Sequence, residues 1–262
     1  MFPLSSSTGI TSTNKVTLTN KTLTSPIFQG TVDGWVSANE TWTFSSADGA
    51  TGIITVPSGA ASKYNVRDRI KLTQTTVKYG IVTVVADTAL TVYFGTDYTL
   101  ANAAISANFY SHSSSPVGFP LDPTKWTVEV GSTTDRSQAS PTANTWYNAE
   151  NIIIPIGVWD VSYSANIFAR DSATTESVGA LTLSTANNSE SDIDFTAAAY
   201  AQWEGSGTGT ASAILYRMKV ISLAAKTTYY LNMMSKNTID NIYVLANSLP
   251  TKTIIRARCA YL

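Results

Sequence analysis

The 262 residues can bury a sizeable core, and with 44% hydrophobic and only 13% charged residues the composition excludes a disordered chain. A net charge of -1 leaves no electrostatic footprint for nucleic acid or an anionic membrane. Cys259 is the single cysteine, which excludes an intrachain disulfide, and the sequence has no Cys/His cluster spaced for a metal.

The first 34 residues are rich in Thr, Ser and Asn and carry only short apolar pulses at Val16, Leu18 and Leu23, too few to close a core. An extended arm that packs on a partner is expected there. The start MFPLSSSTGITS lacks the charged and apolar parts of a secretory signal, and no run reaches the roughly 20 apolar residues of a membrane span. A protein made in a cytoplasm, without membrane insertion, is expected.

From Trp35 to Pro120 short dense runs, Thr41 to Phe44, Gly52 to Val56, Arg69 to Thr73, Val77 to Val85 and Leu90 to Phe94, read as strands of a small antiparallel barrel. Tyr98 to Ile105 reads as one or two helical turns. Ser113 to Pro120 reads as a linker, because Pro116 and Gly118 continue neither a strand nor a helix.

The C-terminal part, 121–262, is organised around Asn151 to Arg170. There Trp159, Val161, Tyr163, Ala165 and Ile167 alternate with Asp160, Ser162, Ser164 and Asn166, the period of two of a half-buried strand. Val178 to Leu183, Ala213 to Leu223, Thr227 to Met234, Ile242 to Leu245 and Thr253 to Leu262 follow as further strands. The number of strands and the turns between them predict a two-sheet sandwich. The fold class expected is thus all-β: an arm over 1–34, a barrel over 35–120 and a jelly-roll sandwich over 121–262.

Three segments resemble known proteins. Thr17 to Pro26 (TLTNKTLTSP) resembles a segment of bacteriophage tail fibres, and Val66 to Gln74 with Lys78 to Val84, followed by Tyr98 to Ile105 and Asn108 to His112, resembles the small barrel module of phage fibre and receptor-binding proteins. Ile154 to Tyr163 early and Thr253 to Arg258 late are similar in pattern to jelly rolls of the tumour-necrosis-factor and C1q type. These resemblances imply a non-enzymatic virion adhesin, a homotrimer attached to other virion proteins by its arm and binding host surface polysaccharide. A head fibre or capsid decoration protein and a polysaccharide depolymerase are the alternatives.

No catalytic motif stands out and no cofactor is implied. Trp203 with Tyr200, Gln202 and Glu204 lies beside the glycine-rich run Gly205 to Gly209, where an indole could stack on a sugar while an amide and a carboxylate take its hydroxyls. Packing over an open end of the sandwich, or at a subunit interface, is the ordinary use of such an indole. Glu190, Asp192 and Asp194 are the densest acidic cluster, a weak cation candidate without the glycine turn and distal Glu of an EF-hand; a solvated loop is the plainer reading. His112 reads as a surface histidine, Cys259 as a packed thiol, and Trp42, Trp126, Trp146 and Trp159 as packing residues.

Overall fold

Three antiparallel sheets make up the computed structural model, which describes residues 33–172, 176–202, 209–246 and 252–262. The expected arm lies, but for its last two residues, outside the described residues. The chain is all-β, with a single four-residue α-helix, α1 (Ala60–Lys63), among the described residues.

The first sheet comprises β1 (Val36–Ser37), β2 (Thr43–Asp48), β3 (Thr51–Thr55), β4 (Arg69–Gln74), β5 (Thr76–Ala86), β6 (Ala89–Tyr93) and β7 (Ser106–Ser111), in the order β1-β7-β4-β5-β6-β3-β2. Register shifts in β2, β4 and β5 curl it. The chain between β1 and β2 bridges its two edges: Ala38 N–H donates to Asn108 O, and Asn108 donates to Glu40 O at 3.1 Å. Trp42, Ile54, Ile70, Leu72, Leu90 and Phe94 fill the space enclosed. Gly80 in β5 is required by close approach, since a Cβ there would lie 2.3 Å from Val92 Cγ1.

Tyr98 to Ile105 is not helical. The carboxamide of Gln74 supplies what helix hydrogen bonds would have: it donates to Ala101 O and Ala103 O, and accepts from Ala101 N–H and Tyr98 Oη. A long-range side chain overrides local propensity. The stretch expected as a linker is exposed at Ser113 to Ser115, Val117 and Gly118 and anchored by Pro116 and Phe119, with Phe119 buried and stacked on Trp126 at 5.2 Å.

The C-terminal strands are β8 (Thr127–Ser132), β9 (Arg136–Ala139), β10 (Trp146–Ile154), β11 (Gly157–Asp171), β12 (Glu176–Ser184), β13 (Ala197–Gln202), β14 (Gly209–Leu223), β15 (Thr227–Ser235), β16 (Asn241–Leu245) and β17 (Thr253–Cys259). One sheet runs β10-β15-β12-β13; the other runs β8-β17-β11-β16-β9, with β14 also on β11. β16 and β17 pair with successive lengths of β11, and β9 and β8 pair with β16 and β17 in turn. Taking β8/β9 as strand A, β10 to β15 as B to G and β16/β17 as H, the sheets read A-H-C-F and B-G-D-E. That is the order of a jelly roll.

The organising strand is buried as its alternation requires. Trp159, Val161, Tyr163, Ala165 and Ile167 are each at most 1% exposed, as are their inward neighbours Ile255 and Ala257 on β17. Tyr229, Leu231 and Met233 on β15 face them from the second sheet. Trp42, Trp126 and Trp159 are core residues as expected, whereas Trp146 is only half-buried. An aromatic group joins the first sheet to the sandwich: Tyr93 meets Trp159 edge-on at 5.0 Å, and Trp126 lies between Tyr93 and Phe119.

Arg69 fastens that junction. Its buried guanidinium donates to Arg67 O, Ser114 O and Tyr261 O, and lies 4.9 Å from the Phe119 ring. Burial works against its charge, and no carboxylate among the described residues forms a salt bridge with it. Three carbonyl dipoles hold the charge instead, an arrangement that strongly penalises removal of either side.

Candidate functional site

The longest ladder of the molecule pairs β11 with β14 over fifteen residues, from Gly157 opposite Leu223 to Asp171 opposite Gly209. Residues directly opposite in such a ladder share a face, so the outer surface can be laid out in rows. One row crosses the sheet through Met218, Ser162, Arg256 and Glu129, and the next through Val220, Asp160, Arg258 and Thr127. The neighbouring row on the other side is Tyr216, Ser164, Ile254 and Gly131.

Two opposite surfaces result on one sheet face. Along β14, Ile214, Tyr216, Met218 and Val220 are 61%, 56%, 61% and 58% exposed. Along β17, Arg256 pairs with Glu129 at 2.6 Å and Arg258 with Asp160 at 3.2 Å. Between the apolar ridge and the charged one lies a groove of about 550 Å³ floored by Asp160 and Ser162. Among the described residues β14 pairs in a ladder only with β11, and its other side lies against β13. An exposed apolar ridge of this length is a surface that proteins ordinarily cover.

The opposite parity of β14 explains why the apolar side chains point outward. Ala211 and Leu215 enter the core, but Arg217 and Lys219 follow, and both are used at the open side of the sandwich. Arg217 Nε donates to Thr196 O at 2.9 Å, while Lys219 Nζ lies between Asp192 and Asp194 at 2.6 and 2.7 Å. The Lys219 ammonium is pushed up to about 12 by these carboxylates, and its hydrogen bond holds the Asp192 carboxyl below the usual range.

Two members of the acidic cluster therefore clamp the 3-10 turn Ile193–Phe195 onto β14. Phe195 beneath them is buried, and its carbonyl accepts from Tyr163 Oη at 2.9 Å. Glu190, the third member, accepts from Thr196 Oγ1 at 2.5 Å. Lys219 sits where a cation would have to be. Among the described residues no group of three or more His, Cys, Asp or Glu side chains is placed to hold a metal.

Of the aromatic set, Tyr200 stands on β13 and is 60% exposed. The side chain of Gln202, and Trp203 and Glu204 entirely, lie outside the described residues, as does the glycine-rich run up to β14. Cys259 is buried and its thiol is pushed up to about 11 by that burial, so it is inert at neutral pH.

His112 is half-exposed and more constrained than a plain surface histidine. Its Nδ1 lies 2.8 Å from the carboxylate of Asp68, a residue 44 positions away that is only 4% exposed. No serine hydroxyl bonds to the ring among the described residues. Sequence reading missed Asp68 because only the β4–β7 pairing, with Arg69 opposite Ser111, brings it beside His112.

No family model matches the chain, and no curated protein matches it. Solved structures similar to it include dimeric latent PorU from Porphyromonas gingivalis, at 10% identity and a TM-score of 0.27, covering 85% of this chain. The chain spans only 24% of that protein's length. The VP2 subviral particle of infectious bursal disease virus is similar at 9% identity and a TM-score of 0.28, covering 85% of this chain and 78% of VP2. The Gx strain of that virus gives 10% identity, a TM-score of 0.27 and the same coverages. Likenesses at this level carry no functional argument. No helix among the described residues is long and apolar enough to cross a membrane.

Proposed function

We propose that this chain is a non-enzymatic virion adhesin of the phage tail-fibre or receptor-binding type, assembled as a homotrimer and presenting its sandwich to host surface polysaccharide. The observation that carries the reading is the outer face of β14. Four large apolar side chains in consecutive outward positions, with more than half of each exposed, are a surface for another chain. A second copy suits it, because the same face carries both signs of charge in the Arg256–Glu129 and Arg258–Asp160 rows. These pairs are satisfied within one chain, so copies arranged about a symmetry axis can meet along β14 without an unmatched charge.

The resemblance of Thr17 to Pro26 and of Val66 to His112 to phage fibre segments supplies the biological setting, and the pattern likeness of the sandwich to tumour-necrosis-factor and C1q jelly rolls supplies the number three. Threefold display raises the avidity of individually weak sugar contacts through effective concentration. The arm over 1–34 provides the attachment to other virion proteins, and the loops of the sandwich provide the receptor surface, with Tyr200, Gln202, Trp203 and Glu204 the candidate sugar contacts.

Retention of the fluorescently labelled full chain on encapsulated bacterial cells tests the adhesin reading. Binding that soluble capsular polysaccharide competes away, with no release of reducing ends, is expected. Release of reducing ends would instead establish the depolymerase, and absence of binding to polysaccharide of every host offered would favour a decoration role on the capsid.

A further inference from the structure

A second cavity, of about 440 Å³, opens at the junction between the first sheet and the C-terminal segment, remote in sequence from Tyr200 to Glu204. Asn65, Arg67, Asp68, His112, Ser114 and Tyr261 are among its lining residues. Several of its polar groups are held in place. Arg67 has a φ of +84°, a backbone conformation that a side-chain-bearing residue adopts at a cost of about 1 kcal/mol or more. Its N–H donates to Val82 O at 2.8 Å, which keeps it there, and its guanidinium lies over the Tyr261 ring at 5.6 Å. The donors of that guanidinium have no hydrogen-bond acceptor among the described residues. A planar fork stacked on a ring with its donors unused is prepared for a planar anion.

The histidine is prepared in the same sense. Asp68 accepts the Asn65 backbone N–H at 2.8 Å and is met by His112 Nδ1 at 2.8 Å. The Asp68 carboxylate at 2.8 Å and the Asn65 carboxamide nitrogen at 3.3 Å both meet Nδ1, which leaves Nε2 without a protein partner among the described residues. Beneath them the buried Arg69 guanidinium, neutralised by no salt bridge, adds its charge to the floor. Arg67 and Arg69 both line the cavity, and the Asp68 carboxylate between them is already engaged by the Asn65 N–H and by His112. The unengaged fork of Arg67 is what favours an anion here.

We propose that this cavity binds the carboxylate of an acidic sugar unit, with Arg67 taking the carboxylate and Asn65, Ser114 and His112 available to the ring hydroxyls. The anion preference rests on the geometry of the cavity alone. The assignment to a sugar rests on the adhesin reading above.

The test uses the fact that His112 is the only histidine of the chain, so its ring gives one unambiguous set of NMR signals. Sodium glucuronate titrated into the full-length protein is expected to shift those signals saturably, whereas methyl glucoside and acetate leave them nearly unmoved. The R67G variant, whose residue suits the φ of +84°, is expected to fold normally and to weaken the glucuronate response at least tenfold. R67K, which keeps a charge without the planar fork, should fall between the two. No saturable shift up to high millimolar glucuronate overturns the site, and it does so whether or not the protein binds cells. Equal responses to acetate, phosphate and glucuronate overturn the sugar assignment, and an undiminished response in R67G overturns the role of Arg67.

Discussion

β14 and β17 flank the same strand on the same sheet, and their outer faces are opposites. β17 presents Arg256 and Arg258, each matched to a carboxylate on a neighbouring strand, and its chemistry is complete in water. β14 presents Ile214, Tyr216, Met218 and Val220, which contribute nothing in water and gain only when another surface removes them from it. A face that is half finished and half unfinished is where we propose that an assembly begins.

The largest effect is expected from altering the unfinished half. The double substitution Y216E/M218K places opposite charges on the ridge, and the mass in solution should fall from three chains to one, while thermal unfolding of the single chain stays cooperative. Moving to the inner face of the same ladder should reverse that pattern. W159A removes a fully buried indole that donates to Pro155 O at 2.8 Å, and a loss of about 3–5 kcal/mol is expected in urea unfolding, with assembly affected only through lost folding.

A half-buried charge between β1 and β2 provides an intermediate case with a definite pH dependence. Burial works against the Glu40 carboxylate, but hydrogen bonds from Lys63, Tyr64 and Trp42 prevail and hold its pKa below the ordinary 4.5. A folded-state pKa below the unfolded one means that the stabilisation is complete above about pH 4.5 and is lost as pH falls through the lower folded value. E40Q is therefore expected to cost about 1–3 kcal/mol at neutral pH. The difference from the native chain should shrink on acidification, as followed by chemical denaturation from pH 7 downward. The smallest effect belongs to the finished half: R256A should change stability by about 1 kcal/mol or less, because its pair with Glu129 is exposed. Assembly that also survives R256A unchanged would sharpen the division between the two strands, and loss of the trimer in R256A would erase it.

Much of the sandwich was legible because its inner face obeys one rule. Trp159 to Ala165 and Ile255 to Tyr261 alternate, and burial follows that parity. The same rule misleads on β14, where Ile214 to Val220 have the parity a core would use. Their exposure is decided by Arg217 and Lys219 on the other parity, whose partners Thr196, Asp192 and Asp194 come from a separate segment. Periodicity divides a strand into two faces; only the partners of both faces say which one is wet. Gln74 replacing helical hydrogen bonds over Tyr98 to Ile105, and Asp68 standing against His112, have the same origin. Each is a contact between residues distant in sequence, set by sheet register.

The measurement that tests the central claim most directly is the solution mass of the full chain by light scattering over a wide dilution range. The account predicts a constant mass near three times 28.0 kDa for the native chain, falling to a single chain in Y216E/M218K. A native mass of 28.0 kDa at every concentration would contradict it, for the apolar ridge of β14 would then face water.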